Sequence, residues 1–114
     1  MRRFALCLAL TALSAAPALA QAYSGNWSCR DASTNRVGIL TIYGEVYGWA
    51  ARAVNDPASG TGSIVAYQDG VGFNDGNLRG KGDIQAGRII NDPTYGFALQ
   101  LETADAIVML CNPR

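Results

Sequence analysis

The chain has 114 residues, of which 49% are hydrophobic and 16% are charged, with nine basic and nine acidic side chains. This length fits one domain, and the balanced charge excludes the basic footprint of a nucleic-acid-binding protein. Because the chain has no histidine, it lacks the commonest general base and the commonest metal ligand. We therefore expect a non-enzymatic protein that needs no cofactor.

The N-terminal segment has the pattern of a secretory signal peptide. Two arginines follow the first methionine, residues 4–13 are apolar, and alanines occupy both cleavage-determining positions before Gln21. The apolar run is too short for a membrane span, which needs about 20 residues. Since no cysteine follows the cleavage position, a lipid anchor is not expected. We predict a signal peptide over residues 1–20 and one soluble periplasmic or secreted domain over residues 21–114.

After the predicted cleavage position, short apolar or alternating segments are separated by turns rich in glycine, asparagine, aspartate and proline. Alternation with a period of two residues is typical of half-buried strands, and Asp69-Gly70 is a favoured hairpin pair. Residues 77–85 are rich in glycine and weakly patterned. The predicted strands are residues 23–30, 37–43, 46–54, 63–68, 71–74, 88–90, 95–103 and 106–111.

The same alternation predicts which side chains form the core. Apolar residues occupy every second position on the first strand and, most clearly, on the strand that begins at residue 95. Glu102 lies on the polar face of that later strand and is predicted to be solvated. The side chains predicted to be buried are those of Trp27, Tyr95, Phe97, Leu99 and Leu101.

Two cysteines remain after the predicted signal peptide, Cys29 on the first strand and Cys111 on the last. In an exported chain such a pair is typical of one disulfide, although two free thiols or a two-ligand metal site are alternatives. A disulfide requires Cα atoms within about 6 Å, so the first and last strands must meet. We predict an all-β fold: a small antiparallel up-and-down β-barrel of about seven to eight strands, closed by one disulfide.

The carboxylates are the remaining candidates for catalysis or calcium binding. Two of them would suffice for glycoside hydrolysis, but most of the aspartates lie in predicted turns, where they bond to main-chain N–H groups. The stretch from Asp69 to Asp83 is dense in oxygen ligands, but it lacks the spacing and the closing glutamate of an EF-hand. We predict neither an enzyme nor a metal site.

The triplet Gly25-Asn26-Trp27 resembles the Gly-x-Trp signature of lipocalins and avidin-like barrels. In those families the tryptophan closes one end of the barrel, and the interior binds a small apolar or amphipathic ligand. This resemblance implies an alternative function as a small-ligand carrier. The simpler interpretation is that Trp27 only caps the core.

A second resemblance rests on five short segments that follow one another along the chain: Cys29-Arg30-Asp31, Ala58-Ser59-Gly60, Tyr67-Gln68-Asp69-Gly70, Lys81-Gly82-Asp83 and Cys111. Their order resembles that in secreted bacterial inhibitors of C-type lysozyme, which are chains of this size that fold as small disulfide-tied barrels. In that family a serine and a lysine enter the lysozyme cleft and engage its catalytic carboxylates. The resemblance implies that Lys81 and either Ser59 or Ser63 have these roles.

The local sequence also makes Lys81 a candidate partner-binding residue, independently of the resemblance. It is the only lysine of the chain and lies between two glycines, and a cation on a projecting loop is suited to pair with a carboxylate of a partner. The hypothesis is a small exported binding protein that inhibits a partner enzyme, with lysozyme as the first candidate. The alternatives are a ligand carrier and an exported protein with a structural role. The predicted partner-binding residues are Ser59, Ser63, Tyr67, Arg79, Lys81 and Asp83.

Overall fold

The computed structural model describes residues 22–114, so the predicted signal peptide over residues 1–20 lies outside the described residues. From Gly25 to Pro113, eight strands and one short helix follow one another. The elements are β1 Gly25–Arg30, β2 Arg36–Tyr43, β3 Val46–Ala51, β4 Gly60–Tyr67, β5 Gly70–Phe73, α1 Asn77–Gly80, β6 Ala86–Asp92, β7 Gly96–Glu102 and β8 Ile107–Pro113.

The strands form a closed barrel in which each strand pairs antiparallel with the next. The last strand returns to the first, and this β1–β8 ladder runs from Trp27 opposite Pro113 to Arg30 opposite Leu110. Closure leaves no free sheet edge. The predicted all-β, up-and-down barrel is confirmed, with eight strands.

One disulfide joins the two strands at which the barrel closes. Cys29 and Cys111 are direct cross-strand partners, and their sulfurs are bonded, with Cα atoms 4.0 Å apart. Neither residue has any exposed surface. The predicted pairing is confirmed, and a disulfide of this kind is typical of proteins in oxidising compartments outside the cytoplasm.

Side chains from the strands fill the barrel, and large side chains lie over glycines of neighbouring strands. A Cβ at Gly38 would lie 2.7 Å from the Trp49 ring, and a Cβ at Gly87 would lie 2.9 Å from the Leu101 side chain. Large and small residues thus complement each other, as close packing requires. The buried core consists of Tyr23, Trp27, Cys29, Leu40, Ile42, Tyr47, Trp49, Ile64, Val71, Phe73, Leu78, Ile84, Leu99, Leu101 and Cys111.

Two of the predicted core positions are wrong. Tyr95 is 52% exposed and Phe97 is 42% exposed, whereas Leu99 and Leu101 are fully buried as predicted. Tyr95 precedes β7 and belongs to the turn after β6. Phe97 keeps the inward phase of β7 but lies at the end of the barrel, where its ring packs edge-on against Trp27 with a centroid distance of 5.8 Å. Position along the strand, rather than alternation, therefore decides its exposure.

The turn after β6 is organised by the carboxylate of Asp92. One oxygen accepts the N–H groups of Thr94 and Tyr95 at 2.7 and 3.1 Å, and the other accepts the Asn112 amide N–H at 2.9 Å. These donors, the Thr94 N–H foremost, lower the pKa of Asp92 from its ordinary value of 3.8. They favour the charged form of this side chain.

We expect this carboxylate to make an acid-sensitive contribution to stability. Because the pKa of Asp92 is lower in the folded protein, the contribution is complete above the unfolded value and is lost as the pH falls through the folded one. The difference in melting temperature between wild type and Asp92→Ala should be full at pH 7 and should shrink towards pH 2. Thermal melts over this range measure it. Asp105→Ala, at an exposed loop position, is the control and should show little difference throughout.

Candidate partner-binding site

The longer loops of the barrel lie together at one end. Because the strands alternate in direction, the loops that follow odd-numbered strands share an end, which we call the loop end; the tight turns after even-numbered strands share the other. The longest of these loops connects β5 to β6 and carries Lys81. The loops of the loop end are residues 31–35, 52–59, 74–85 and 103–106.

The loop that carries Lys81 is held at both sides by buried apolar residues. Leu78 in α1 and Ile84 before β6 are each almost fully buried in the core. Between them the Lys81 N–H donates to the Asn77 carbonyl at 2.7 Å, and the Ile84 N–H donates to the Leu78 carbonyl at 3.1 Å. The weakly patterned stretch of the sequence is therefore a short helix and an ordered turn.

Glycine lets this loop rest directly on β4. Gly76 has φ +90°, and a Cβ there would lie 2.5 Å from both the Thr61 carbonyl oxygen and the Tyr47 hydroxyl. The Tyr47 hydroxyl donates to the Asp75 carbonyl at 2.8 Å. Burial raises the pKa of Tyr47, although the main-chain groups of Arg79 and Leu78 act in the opposite direction. The phenol therefore keeps the proton with which it anchors the loop.

The two basic side chains of this loop differ in their contacts: within the described part of the chain, Arg79 is held by a hydrogen bond and Lys81 forms no ion pair. Arg79 is exposed, but its Nη1 donates to the Phe73 carbonyl at 2.7 Å, which ties the guanidinium to the end of β5. Lys81 and Asp83 are both exposed. Within residues 22–114 the Lys81 ammonium forms no ion pair. The structure thus places one unpaired cation on an ordered loop.

The two candidate serines have different surroundings. Ser59 lies in the loop before β4, where the Asn77 amide donates to its carbonyl at 3.0 Å and links it to the Lys81 loop. The Ser59 hydroxyl accepts the Ala51 N–H at 3.0 Å. Ser63 lies within β4, and its hydroxyl donates to the Asp75 carboxylate at 3.0 Å. Ser59 lies in a loop of the loop end, whereas Ser63 contacts the first residues of the Lys81 loop from within β4.

Tyr67 is distant from this group. It is the last residue of β4, and Ser59 directly precedes the first. A strand rises about 3.3 Å per residue, so Tyr67 lies at the opposite end of the barrel, where the Tyr23 hydroxyl donates to its carbonyl. The six residues predicted from sequence therefore do not form one surface; Ser59, Arg79, Lys81 and Asp83 share the loop end.

An apolar depression lies beside the Lys81 loop and was not predicted from the sequence. Its volume is about 270 Å³. It brings together residues of β2, β3, β8 and three loops that are distant in sequence, so only the folded structure reveals it. Its apolar lining includes Val37, Trp49, Ala58, Ile84, Val108 and Met109, and its polar lining residues are Asp56 and Thr103.

Among residues 22–114, no three residues of the types His, Cys, Asp and Glu are grouped so that they could hold a metal ion. No helix over the same residues has the length and apolar character needed to cross a membrane.

Comparison with protein-family models, with curated proteins and with solved structures gives no significant match.

Proposed function

We propose that this chain is an exported, non-enzymatic binding protein that blocks a partner enzyme through its loop end. The observation that carries the proposal is an ordered loop that exposes the unpaired cation Lys81 next to an apolar depression. Export is supported by the signal-peptide pattern of residues 1–20 and by the disulfide between Cys29 and Cys111.

The order of the loop favours binding to another protein. A segment that is already fixed by Leu78, Ile84 and the Asn77 amide loses little conformational entropy when it docks, which improves affinity. The apolar depression supplies surface that gains from desolvation. A polar or charged group beside such a patch is the common anatomy of protein–protein interfaces.

Lysozyme is the partner that we propose to test first. Its active site contains two carboxylates, and the Lys81 ammonium can pair with either of them. The Ser59 hydroxyl lies on the neighbouring loop and, while its oxygen accepts the Ala51 N–H, its own proton remains available for donation. This assignment keeps the roles implied by the resemblance to secreted lysozyme inhibitors, now limited to residues that share the loop end.

A carrier of small ligands is the less favoured function. The barrel interior is filled by side chains from all around the sheet, and Trp27 caps one end in contact with Phe97. The depression at the loop end, at about 270 Å³, is smaller than the roughly 300–1,000 Å³ of typical ligand pockets. The filled interior and the small depression favour a contact surface over an internal ligand site.

Substitution of Lys81 tests the proposal. Loss of a desolvated cation that pairs with an active-site carboxylate typically costs about 2–5 kcal/mol, which is about thirtyfold or more in affinity. We expect wild-type protein to inhibit C-type lysozyme and Lys81→Ala to inhibit at least thirtyfold less well. Inhibition assays at two salt concentrations measure both effects, and inhibition should weaken as salt rises.

Two control variants make the result specific. Arg88→Ala removes a cation that is already paired with Glu102 at 3.2 Å and lies outside the proposed surface, so inhibition should be unchanged. Lys81→Arg keeps the charge and should retain part of the inhibition. If wild-type protein at micromolar concentration leaves lysozyme fully active, lysozyme is not the partner, and the ligand-carrier function becomes the next hypothesis.

A further inference from the structure

Four arginines line one groove on the outer face of the barrel. The groove has a volume of about 640 Å³ and includes Arg30, Arg36, Arg52 and Arg114 among its lining residues, with no aspartate or glutamate side chain. Only seven basic residues lie in residues 21–114, so more than half of them meet here. We call this surface the arginine groove.

The floor of the arginine groove is a cross-strand row of short or uncharged side chains. Ser28 in β1 is opposite Asn112 in β8 and Ile39 in β2, and Ile39 is opposite Ala50 in β3. Four adjacent strands thus contribute one residue each, at a spacing of about 4.8 Å. The row extends over about 14 Å, and its small side chains leave the depression between the arginines.

Three of the arginines are close neighbours at one side of this row. Arg30 and Arg36 are direct cross-strand partners, and the Arg52 N–H donates to the carbonyl of Val37, the residue after Arg36, at 2.9 Å. Like charges in directly opposed positions destabilise a sheet. The sequence therefore places positive charge where the folded chain alone gains nothing from it.

These guanidinium groups lack protein partners in the described part of the chain. Within residues 22–114 the ion pair formed by an arginine is that of Arg88 with Glu102, and the arginine side chain that bonds to a main-chain carbonyl is that of Arg79. The side chains of Arg30, Arg36 and Arg52 form neither contact. Each guanidinium retains five N–H donors in a planar fork suited to carboxylates.

Two aspartates adjoin residues of the groove, and both carboxylates are engaged in other hydrogen bonds. Asp31 follows Arg30, but its Oδ1 accepts the N–H groups of Ser33 and Asn35 at 2.9 and 3.0 Å. Asp92 accepts the amide N–H of Asn112, the floor residue of β8, at 2.9 Å. Both carboxylates order local turns or side chains, and neither forms an ion pair with an arginine.

We propose that the arginine groove binds an extended acidic segment of a partner protein. A row of about 14 Å accommodates roughly four extended residues at about 3.3 Å each. Carboxylates of the segment would pair with Arg30, Arg36 and Arg52, while intervening apolar side chains would lie on Ile39, Ala50 and the half-exposed ring of Tyr95. This apolar lining favours a polypeptide over a purely ionic polymer of phosphate or sulfate groups.

Peptide binding tests the proposal independently of the Lys81 loop. The probe is a fluorescein-labelled ten-residue peptide in which glutamate alternates with leucine, and the matched control peptide has glutamine in place of glutamate. We expect the glutamate peptide to raise the fluorescence anisotropy at micromolar concentrations of wild-type protein. The glutamine peptide should bind at least tenfold more weakly, and the affinity of the glutamate peptide should fall with rising salt.

Variants assign the binding to the groove. The double substitution Arg30→Ala and Arg36→Ala should weaken binding of the glutamate peptide at least tenfold. It should not lower the melting temperature, because it removes repulsion between opposed charges. Arg88→Ala and Lys81→Ala should bind the peptide like wild type, so this result does not depend on the lysozyme assay.

Three outcomes would overturn the proposal. Equal binding of the glutamate and glutamine peptides would show that the carboxylates are not recognised. An equal loss of binding in Arg88→Ala would show that only the overall charge matters. Tighter binding of polyphosphate or of a sulfated oligosaccharide than of the peptide would assign the groove to a different class of anion.

Discussion

Breaking the Cys29–Cys111 disulfide is expected to lower the free energy of unfolding by about 4–5 kcal/mol. The bond closes a loop with a sequence separation of 82 residues, and loss of chain entropy in the unfolded state gives this magnitude for a loop of that length. Since a small domain has a total stability of about 5–15 kcal/mol, the loss is large. Urea unfolding of oxidised and reduced protein measures it directly.

The position of the bond adds a structural expectation. It lies within the β1–β8 ladder, which contains the four pairs from Trp27–Pro113 to Arg30–Leu110 and closes the barrel. Without the bond, hydrogen exchange should accelerate first along β1 and β8. The double variant Cys29→Ala, Cys111→Ala is the control for the reductant. Because this variant has no disulfide, the reductant should leave its stability unchanged. Two titratable thiols in native, unreduced protein would contradict the assignment.

The alternation of apolar residues, together with the two cysteines, was sufficient to predict the closed barrel. Strand type depends on a local period of two residues, and the two cysteines identified which strands had to meet. The same rule failed at Tyr95 and Phe97 because alternation gives the face of a strand but not where the barrel ends. The end of β7 depends on the turn organised by Asp92, and the sequence marks that turn only by its composition.

The candidate site was harder to predict from the sequence than the fold. Lys81 stood out because it is the only lysine of the chain and lies between two glycines, and this local composition is consistent with its exposure. In contrast, Ser63 and Tyr67 are near Lys81 along the chain but lie within β4 or at its far end. Proximity in sequence says little about proximity in a barrel, because each strand carries the chain from one end to the other.

The two surface depressions could not be predicted, for a related reason. The arginine groove depends on the register of four strands, and Arg30 becomes opposed to Arg36 through an irregularity after Cys29. In the sequence, Arg30 ends the first predicted strand and Arg36 directly precedes the second. Their juxtaposition depends on a hairpin register that turn composition alone does not specify.

Substitution of Leu99 is expected to have the second-largest effect on stability. Leu99 has no exposed surface and lies opposite Cys111 in the β7–β8 ladder, next to the disulfide. Deletion of a buried leucine side chain removes its transfer free energy and leaves a cavity, which together cost about 2–5 kcal/mol. Denaturant unfolding of Leu99→Ala in the oxidised protein measures the loss.

Phe97→Ala provides the matched comparison within the same strand. Phe97 shares the inward phase of Leu99 but is 42% exposed, and its main contact is the edge-on ring pair with Trp27. We expect a loss of about 1–2 kcal/mol, from partial burial and one aromatic pair. Glu102→Ala breaks a partly exposed ion pair with Arg88 and should cost at most about 1 kcal/mol. If Phe97→Ala destabilised the protein as much as Leu99→Ala, the end of the barrel would have to lie beyond Phe97, with its ring inside the core.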